Sequence, residues 1–198
     1  MKTKIKFVIL FFSMAVMTYA QENTTQYIFE QELRSKNEDI TSIKCQFVQT
    51  RGMSVLASTV SKEGVFYFER PNSMQLLFFD GDYIKMDDFQ FEMKVAENVT
   101  ETKIDANPML KNLRSILGAC VIGDFSQMTK GFFAELEHTP TEWIVTMKPQ
   151  RGKAASKISQ IVISFDQNDM SLNCLNLMEK SGDYTMYQFA DKVFNVNE

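Results

Sequence analysis

The residues that could carry acid–base, nucleophilic or metal chemistry are few and lie far apart in this sequence. His138 is the only histidine, and the Thr139-Pro140 that follows it indicates a turn. Asp80 and Asp82 flank a turn glycine, where aspartate is common for structural reasons. A catalytic site needs several groups in complementary roles, and neither a glycine-rich phosphate loop nor a calcium-loop spacing is present. The sequence therefore predicts that the protein is not an enzyme and holds neither a metal nor a cofactor.

One polar element stands between two apolar segments. The strand Gly64–Glu69 runs into Arg70-Pro71-Asn72, and the apolar segment Ser73–Phe79 follows at once. Proline and asparagine fit a turn. The arginine has two interpretations: a side chain that snorkels to water at a strand end, or a rigid fork of donors that bridges acceptors on a neighbouring element.

The first twenty residues have the pattern of a secretory signal peptide. Lys2, Lys4 and Lys6 precede an apolar run, Phe7–Met17, which is too short to span a bilayer. Thr18-Tyr19-Ala20 supplies small residues for cleavage after position 20. The sequence thus predicts a signal peptide over 1–20 and one exported, periplasmic domain over 21–198.

The exported chain is acidic. Without the three signal-peptide lysines it has 18 Lys+Arg against 25 Asp+Glu, a formal charge of −7. An acidic protein repels phosphate backbones, so nucleic acid is not an expected partner. We expect the protein to be a monomer. Cys45, Cys120 and Cys174 form no C-x-x-C pair. Either two of them form a disulfide or, the interpretation we favour, all three pack as buried thiols.

Hydrophobic periodicity predicts many strands and few helices. Apolar residues at helical spacing indicate helices over 25–36 and 109–122, with Gly118 bending or ending the second. Alternation and hairpin-length turns indicate antiparallel strands. The predicted strands are 43–50, 60–69, 73–79, 83–86, 89–95, 132–138, 142–148, 158–165, 172–179 and 184–194.

A sheet of about ten strands with so few helices has to cover its apolar face by curling on itself. The sequence therefore predicts a mainly β fold, a barrel or most of one, with helices at its mouth. The exported chain has 14 Phe and 10 Met, a composition that suits an adaptable apolar cavity; a solid Phe-rich core is the alternative. Alternation places on the inner face Phe47, Phe66, Phe68, Met74, Leu76, Phe78, Phe91 and Met93.

Several of these segments resemble the periplasmic lipoprotein carrier proteins of the LolA family. The resemblance rests on the strand Gln46–Thr50, the segment Gly64–Asn72 with its Arg-Pro-Asn ending, and the turn Asp80-Gly81-Asp82, in the same order along the chain. It implies an unclosed antiparallel half-barrel with a helical lid. Leu76 stands where the family often has tryptophan, and the loop before Asp80 is short, which leaves the client open.

The resemblance also implies a function. The family takes acylated lipoproteins from an inner-membrane ABC-type release complex, shields their acyl chains and delivers them to an outer-membrane acceptor. By the resemblance Arg70 holds the closed form through hydrogen bonds to the lid, and we expect its acceptors at the ends of the 109–122 helix. The lid face that plugs the empty cavity comprises Leu110, Leu113 and Leu117. The alternative is a lipid-binding or envelope-sensing module of the same fold with a different lipid or protein partner.

Overall fold

The computed structural model describes residues 24–56, 58–104, 108–151 and 153–196, and only the backbone of 56, 108–113, 153 and 154. Within these residues the chain forms eleven strands and four α-helices. The strands are β1 (Ser42–Met53), β2 (Ser58–Glu69), β3 (Ser73–Phe78), β4 (Tyr83–Met86), β5 (Gln90–Val95), β6 (Asn98–Lys103), β7 (Phe132–His138), β8 (Glu142–Pro149), β9 (Ile158–Asp166), β10 (Leu172–Glu179) and β11 (Tyr184–Phe194). The helices are α1 (24–37), α2 (Pro108–Ile122), α3 (Phe125–Met128) and α4 (Lys153–Lys157).

The strands form one antiparallel sheet made of two meanders. Strands β1 to β6 pair in sequence, and so do β7 to β11, and the pairing of β1 with β11 joins the two meanders in the middle. Strands β6 and β7 are the two edges of this sheet, so it is not closed into a barrel. The predicted half-barrel architecture with a small helical part is therefore confirmed.

All ten predicted strands are present, but the edge strand β6 was missed. Its sequence, Asn98–Lys103, has one apolar residue, Val99, and five of its six residues are exposed. An edge strand that buries neither face leaves no alternation in the sequence. In the structure, the position of β6 is set by its pairing with β5, where it lies opposite Gln90–Val95.

The helices agree with the predicted ones in position, with two differences. The short helices α3 and α4 were not predicted. Gly118 does not end α2, which runs on to Ile122. A Cβ atom at Gly118 would lie 3.3 Å from the Cε atom of Met74, so the glycine lets α2 approach β3 closely.

Helix α1 is anchored on the concave face of the sheet. Phe29 and Leu33 are fully buried. The ring of Phe29 lies 5.3 Å from that of Trp143 on β8 and 5.6 Å from that of Phe165 on β9. Burying an aromatic side chain of this size stabilises the packing by a few kcal/mol, so α1 belongs to the core of the β8–β9 half.

Candidate functional site

The eight residues predicted to face inwards lie on the concave side of the sheet. Seven are buried, and Met93 is partly buried against the same core. Their alternation follows the register, since Phe66 pairs with Leu76 and Phe68 with Met74 across β2 and β3. Their part in binding a ligand stays a prediction.

A cavity of about 190 Å³ lies between the two halves of the sheet, beneath α2. It includes three of the predicted wall residues, Leu76, Phe91 and Met93, and the predicted lid residue Leu117, which is buried. The other five predicted wall residues pack in the core outside its lining. The remaining lining residues are Ile84, Met86, Lys157, Ile158, Leu177, Glu179, Thr185, Tyr187 and Phe189.

This cavity is smaller than an ordinary small-molecule site. Pockets for drug-sized ligands measure roughly 300–1,000 Å³, against about 190 Å³ here. The space is apolar on one side, and Leu117 of α2 is among the residues that cover it.

Helix α2 is tied to the sheet by an ion pair that sequence reasoning missed. The Nη1 atom of Arg114 donates to Oδ1 of Asp88 at 2.7 Å, and Asn72 Nδ2 donates to the same oxygen at 2.8 Å. Asp88 lies in the turn after β4, where Asp87 accepts from the backbone N–H groups of Phe89 and Gln90. We name the set Arg114, Asp88 and Asn72 the α2 tether. Nothing in the local sequence around Asp88 pointed to a partner on α2.

Arg70 bonds a different helix from the one expected. Its Nε donates to the carbonyl of Ile40, and its Nη2 donates to the carbonyls of Asn37 at 2.9 Å and Glu38 at 3.3 Å. Asn37 is the last residue of α1, and Glu38 and Ile40 follow it, so the predicted acceptors on α2 were wrong. The last carbonyls of a helix lack partners within it and favour a cation, and β2 ends beside α1. Arg70 is exposed as well, and its role as a latch stays a prediction.

Of the predicted lid face, only Leu117 can be placed. Its side chain is buried against the cavity. The side chains of Leu110 and Leu113 lie outside the described residues.

A hydrogen-bonded pair of polar side chains lies in the apolar interior. Gln49 on β1 and Tyr187 on β11 are paired residues of neighbouring strands, and Gln49 Nε2 donates to the Tyr187 hydroxyl at 2.7 Å. Both residues are buried. Burial raises the pKa of Tyr187 above its ordinary value of 10.0, so the hydroxyl stays protonated at neutral pH.

All three cysteines are free thiols; Cys45 and Cys120 are buried, as we favoured, whereas Cys174 is only half-buried. Burial raises the pKa of Cys45 from 9.0 to about 12, and it raises the pKa values of Cys120 and Cys174 as well. Because the thiolate is the reactive form, these are inert packing residues.

The other polar candidates have structural partners. The ring of His138 stacks on Trp143 at 4.0 Å. Lys62 pairs with Asp80 at 2.7 Å and also with Asp82, and hydrogen bonds from Lys62 lower the pKa of both carboxyls. In the described part of the chain, no three His, Cys, Asp or Glu side chains are placed to hold a metal ion. None of the described helices is long and apolar enough to cross a membrane.

The outer face of the sheet carries a second, larger groove of about 840 Å³ beside β1, β2 and β3. Tyr67 and Leu77 give it an apolar part, and Lys44, Glu69 and Gln75 also line it. β2 and β3 therefore contribute to the inner core with one face and to this groove with the other.

Comparison with known proteins identifies the family. The family model described as outer membrane lipoprotein carrier protein LolA matches residues 38–196. No curated protein matches the sequence. Solved structures with a similar fold include a LolA superfamily protein from Nitrosomonas europaea, with 8% identity, coverage of 85% of this chain and 94% of that one, and a TM-score of 0.40.

Two further structures show the same distant likeness. A putative outer membrane lipoprotein-sorting protein domain from Vibrio parahaemolyticus is 9% identical, with 86% and 92% of the two chains covered and a TM-score of 0.45. The Pseudomonas aeruginosa MucA/MucB complex contains a chain that is 13% identical, with 86% and 57% covered and a TM-score of 0.45. At these identities and scores, the family assignment rests on the family model.

Proposed function

Since this chain belongs to the LolA family of outer membrane lipoprotein carrier proteins, we propose that it shields the acyl chains of lipoproteins in the cavity beneath α2 and carries them from the inner to the outer membrane. The observation behind this proposal is the cavity itself. It is apolar along β3, β4 and β5, it is covered by Leu117, and at about 190 Å³ it is smaller than its cargo. A carrier has to hold its ligand and also expel it, and a cavity that its own helix fills when empty suits both tasks.

Burial of an acyl chain outweighs a single bond that holds α2 against the sheet. Moving about ten methylenes from water into an apolar site is worth roughly 8 kcal/mol, at about 0.8 kcal/mol each. A hydrogen bond to a charged group contributes roughly 1.5–3 kcal/mol. Entry of an acyl chain can therefore break the α2 tether and displace Leu117, and re-formation of these contacts as α2 closes offsets part of the gain when the chain leaves.

We assign different parts to the two arginines. Arg114 holds α2, which covers the cavity, so breaking its bond to Asp88 opens the site. Arg70 holds the end of α1, whose Phe29 is packed in the core of the sheet. In this proposal α2 moves, and α1 with Arg70 supports the frame against which it closes.

The setting of the carrier is part of the same proposal. Residues 1–20 direct the chain to the periplasm, and 21–198 act there as one non-enzymatic carrier domain. The chain receives acylated lipoproteins from an inner-membrane ABC-type release complex and passes them to an outer-membrane acceptor.

The test is to identify what the native protein holds. The full chain is expressed with its own leader in a bacterial periplasm, purified without detergent and analysed by native mass spectrometry. Ile84→Trp places a large ring in the cavity, and Val99→Trp places the same ring on the exposed edge strand β6. We expect acylated lipoprotein with the wild type and with Val99→Trp, and its loss with Ile84→Trp.

Other results would decide against the carrier. A different bound lipid, or a stable protein partner without lipid, would favour the lipid-binding or sensing module. If all three preparations are empty and have matching thermal midpoints, the cavity does not bind the cargo of this protein.

A further inference from the structure

The lining of the cavity is divided by chemistry between its two walls. The wall from β3, β4 and β5 is entirely apolar, with Leu76, Phe91 and Met93 among its members. Every polar lining residue stands on the opposite side, on α4, β10 and β11: Lys157, Glu179, Thr185 and Tyr187. A ligand that is hydrocarbon throughout gains nothing from such a division. A molecule with a chain and a polar head matches it.

Tyr187 is the buried member of this polar wall. Tyr187 is 7% exposed, and its hydroxyl accepts a hydrogen bond from Gln49, which is 9% exposed. An amide NH₂ and a phenol together have three donor hydrogens, and their mutual bond uses one. Among the described residues, neither side chain has a further hydrogen-bond partner. Exchanging the nitrogen and oxygen of the Gln49 amide would leave the same number of unused donors, since the hydroxyl would then donate and both amide hydrogens would be free.

An unused donor in an apolar site is unfavourable until it meets an acceptor. Glu179 and Thr185 also line this wall, but the bond that the described residues give the pair is the one between Gln49 and Tyr187. An acceptor that arrives with the ligand can therefore use the remaining donor. The carbonyl oxygen that joins an acyl chain to its head group is such an acceptor, and it lies where hydrocarbon gives way to polar atoms.

Resting on the proposed carrier function, we propose that Tyr187, oriented by Gln49, is a carbonyl-recognising donor. The cavity then selects lipids whose chains are joined through an ester or an amide. The hydrocarbon lies against β3, β4 and β5, and the carbonyl meets the hydroxyl on β11. This assigns to the site a residue that distinguishes acyl compounds from alkyl compounds.

The test uses two ligands that differ only at the carbonyl. A monoacylglycerol has an ester carbonyl, and the monoalkyl glycerol ether with the same number of chain carbons has a methylene there. Affinities come from displacement of a fluorescent hydrophobic dye from the full-length purified protein. One hydrogen bond corresponds to roughly a fivefold to tenfold change in affinity, and we expect the wild type to prefer the ester by that factor.

Tyr187→Phe removes the hydroxyl and keeps the ring. We expect it to bind ester and ether equally, with unchanged affinity for the ether. Gln49→Leu should lower the preference in part, because the hydroxyl loses its orientation. Tyr184→Phe is the matched control, since it removes a hydroxyl from the same strand at a residue outside the cavity lining, and it should keep the wild-type preference.

The outcomes separate this inference from the function on which it rests. Equal binding of both ligands by wild type and by Tyr187→Phe overturns carbonyl recognition and leaves the carrier function in place. An equal loss of both affinities in Tyr187→Phe assigns the pair a purely structural role and also overturns it. Binding of neither ligand by folded wild-type protein overturns the carrier function and the inference together.

Discussion

Breaking the bond between Arg114 and Asp88 should open the cavity without unfolding the protein. The bond joins α2 to the turn after β4 with an N–O distance of 2.7 Å, and Asn72 supports the same carboxyl oxygen. Asp88→Asn keeps the shape of the side chain and removes the charge. The core contacts of the sheet are untouched, so the change should act on the position of α2.

The size of the effect follows from the exposure of the two side chains. A bond between charged groups is worth roughly 1.5–3 kcal/mol, but the Asp88 side chain is 39% exposed, which screens it. Arg114 is only 15% exposed, and its Nε is buried without a partner in the described structure. Loss of Asp88 therefore leaves a partly buried cation, and we estimate a net cost of about 1–2 kcal/mol, or a roughly fivefold to thirtyfold larger open population.

Two measurements report this population. Hydrophobic dye binding measures access to the cavity, and hydrogen exchange measures opening in the α2 backbone. Glu135→Gln is the matched control, because it breaks another surface ion pair, with Lys148 at 3.4 Å, on the edge strand β7. We expect increased dye binding and faster α2 exchange for Asp88→Asn and wild-type values for Glu135→Gln.

A double-mutant cycle of Asp88→Asn with Arg114→Met isolates the pair. If the two residues act together, the double variant should open little more than either single one. Additive effects would show that they act separately. Unchanged α2 exchange and dye binding in Asp88→Asn would refute the tether.

The remaining predictions concern Arg70, the thiols and the anchoring of α1. Arg70→Leu should slow client transfer to an acceptor by roughly tenfold, the factor for about 1.4 kcal/mol. Arg70→Lys should recover transfer only in part, because an ammonium cannot form the fork of donors that a guanidinium forms. Equal transfer rates for the wild type and both variants in a purified assay would exclude Arg70 from the mechanism. Cys45, with its pKa of about 12, should react with iodoacetamide at pH 8 roughly a thousandfold more slowly than an ordinary thiol, as followed by mass spectrometry. After unfolding it should react fully. Rapid labelling of Cys45 in the folded protein would contradict its burial. Phe29→Ala should lower the free energy of unfolding by about 3–5 kcal/mol, followed in urea by fluorescence of the neighbouring Trp143, whereas a change below 1 kcal/mol would show that α1 is not anchored in the core.

Local pattern was sufficient wherever one face of an element is buried. Phe66 and Phe68 could be placed on the inner face because alternate residues of a strand point to the same side. Helices α1 and α2 followed in the same way from apolar residues at helical spacing. Strand β6 could not be predicted, since an edge strand exposed on both faces carries no such pattern.

The polar contacts of the site depended on the tertiary structure. Asp88 meets Asn72 from 16 positions away and Arg114 from 26, and Gln49 meets Tyr187 from 138. Which helix Arg70 bonds was decided in the same way, by where α1 ends relative to β2. Periodicity reports whether a residue is buried, and it holds no information on which distant residue lies opposite. That choice is made by the register of the whole sheet, above all by the pairing of β1 with β11 that brings the two meanders together.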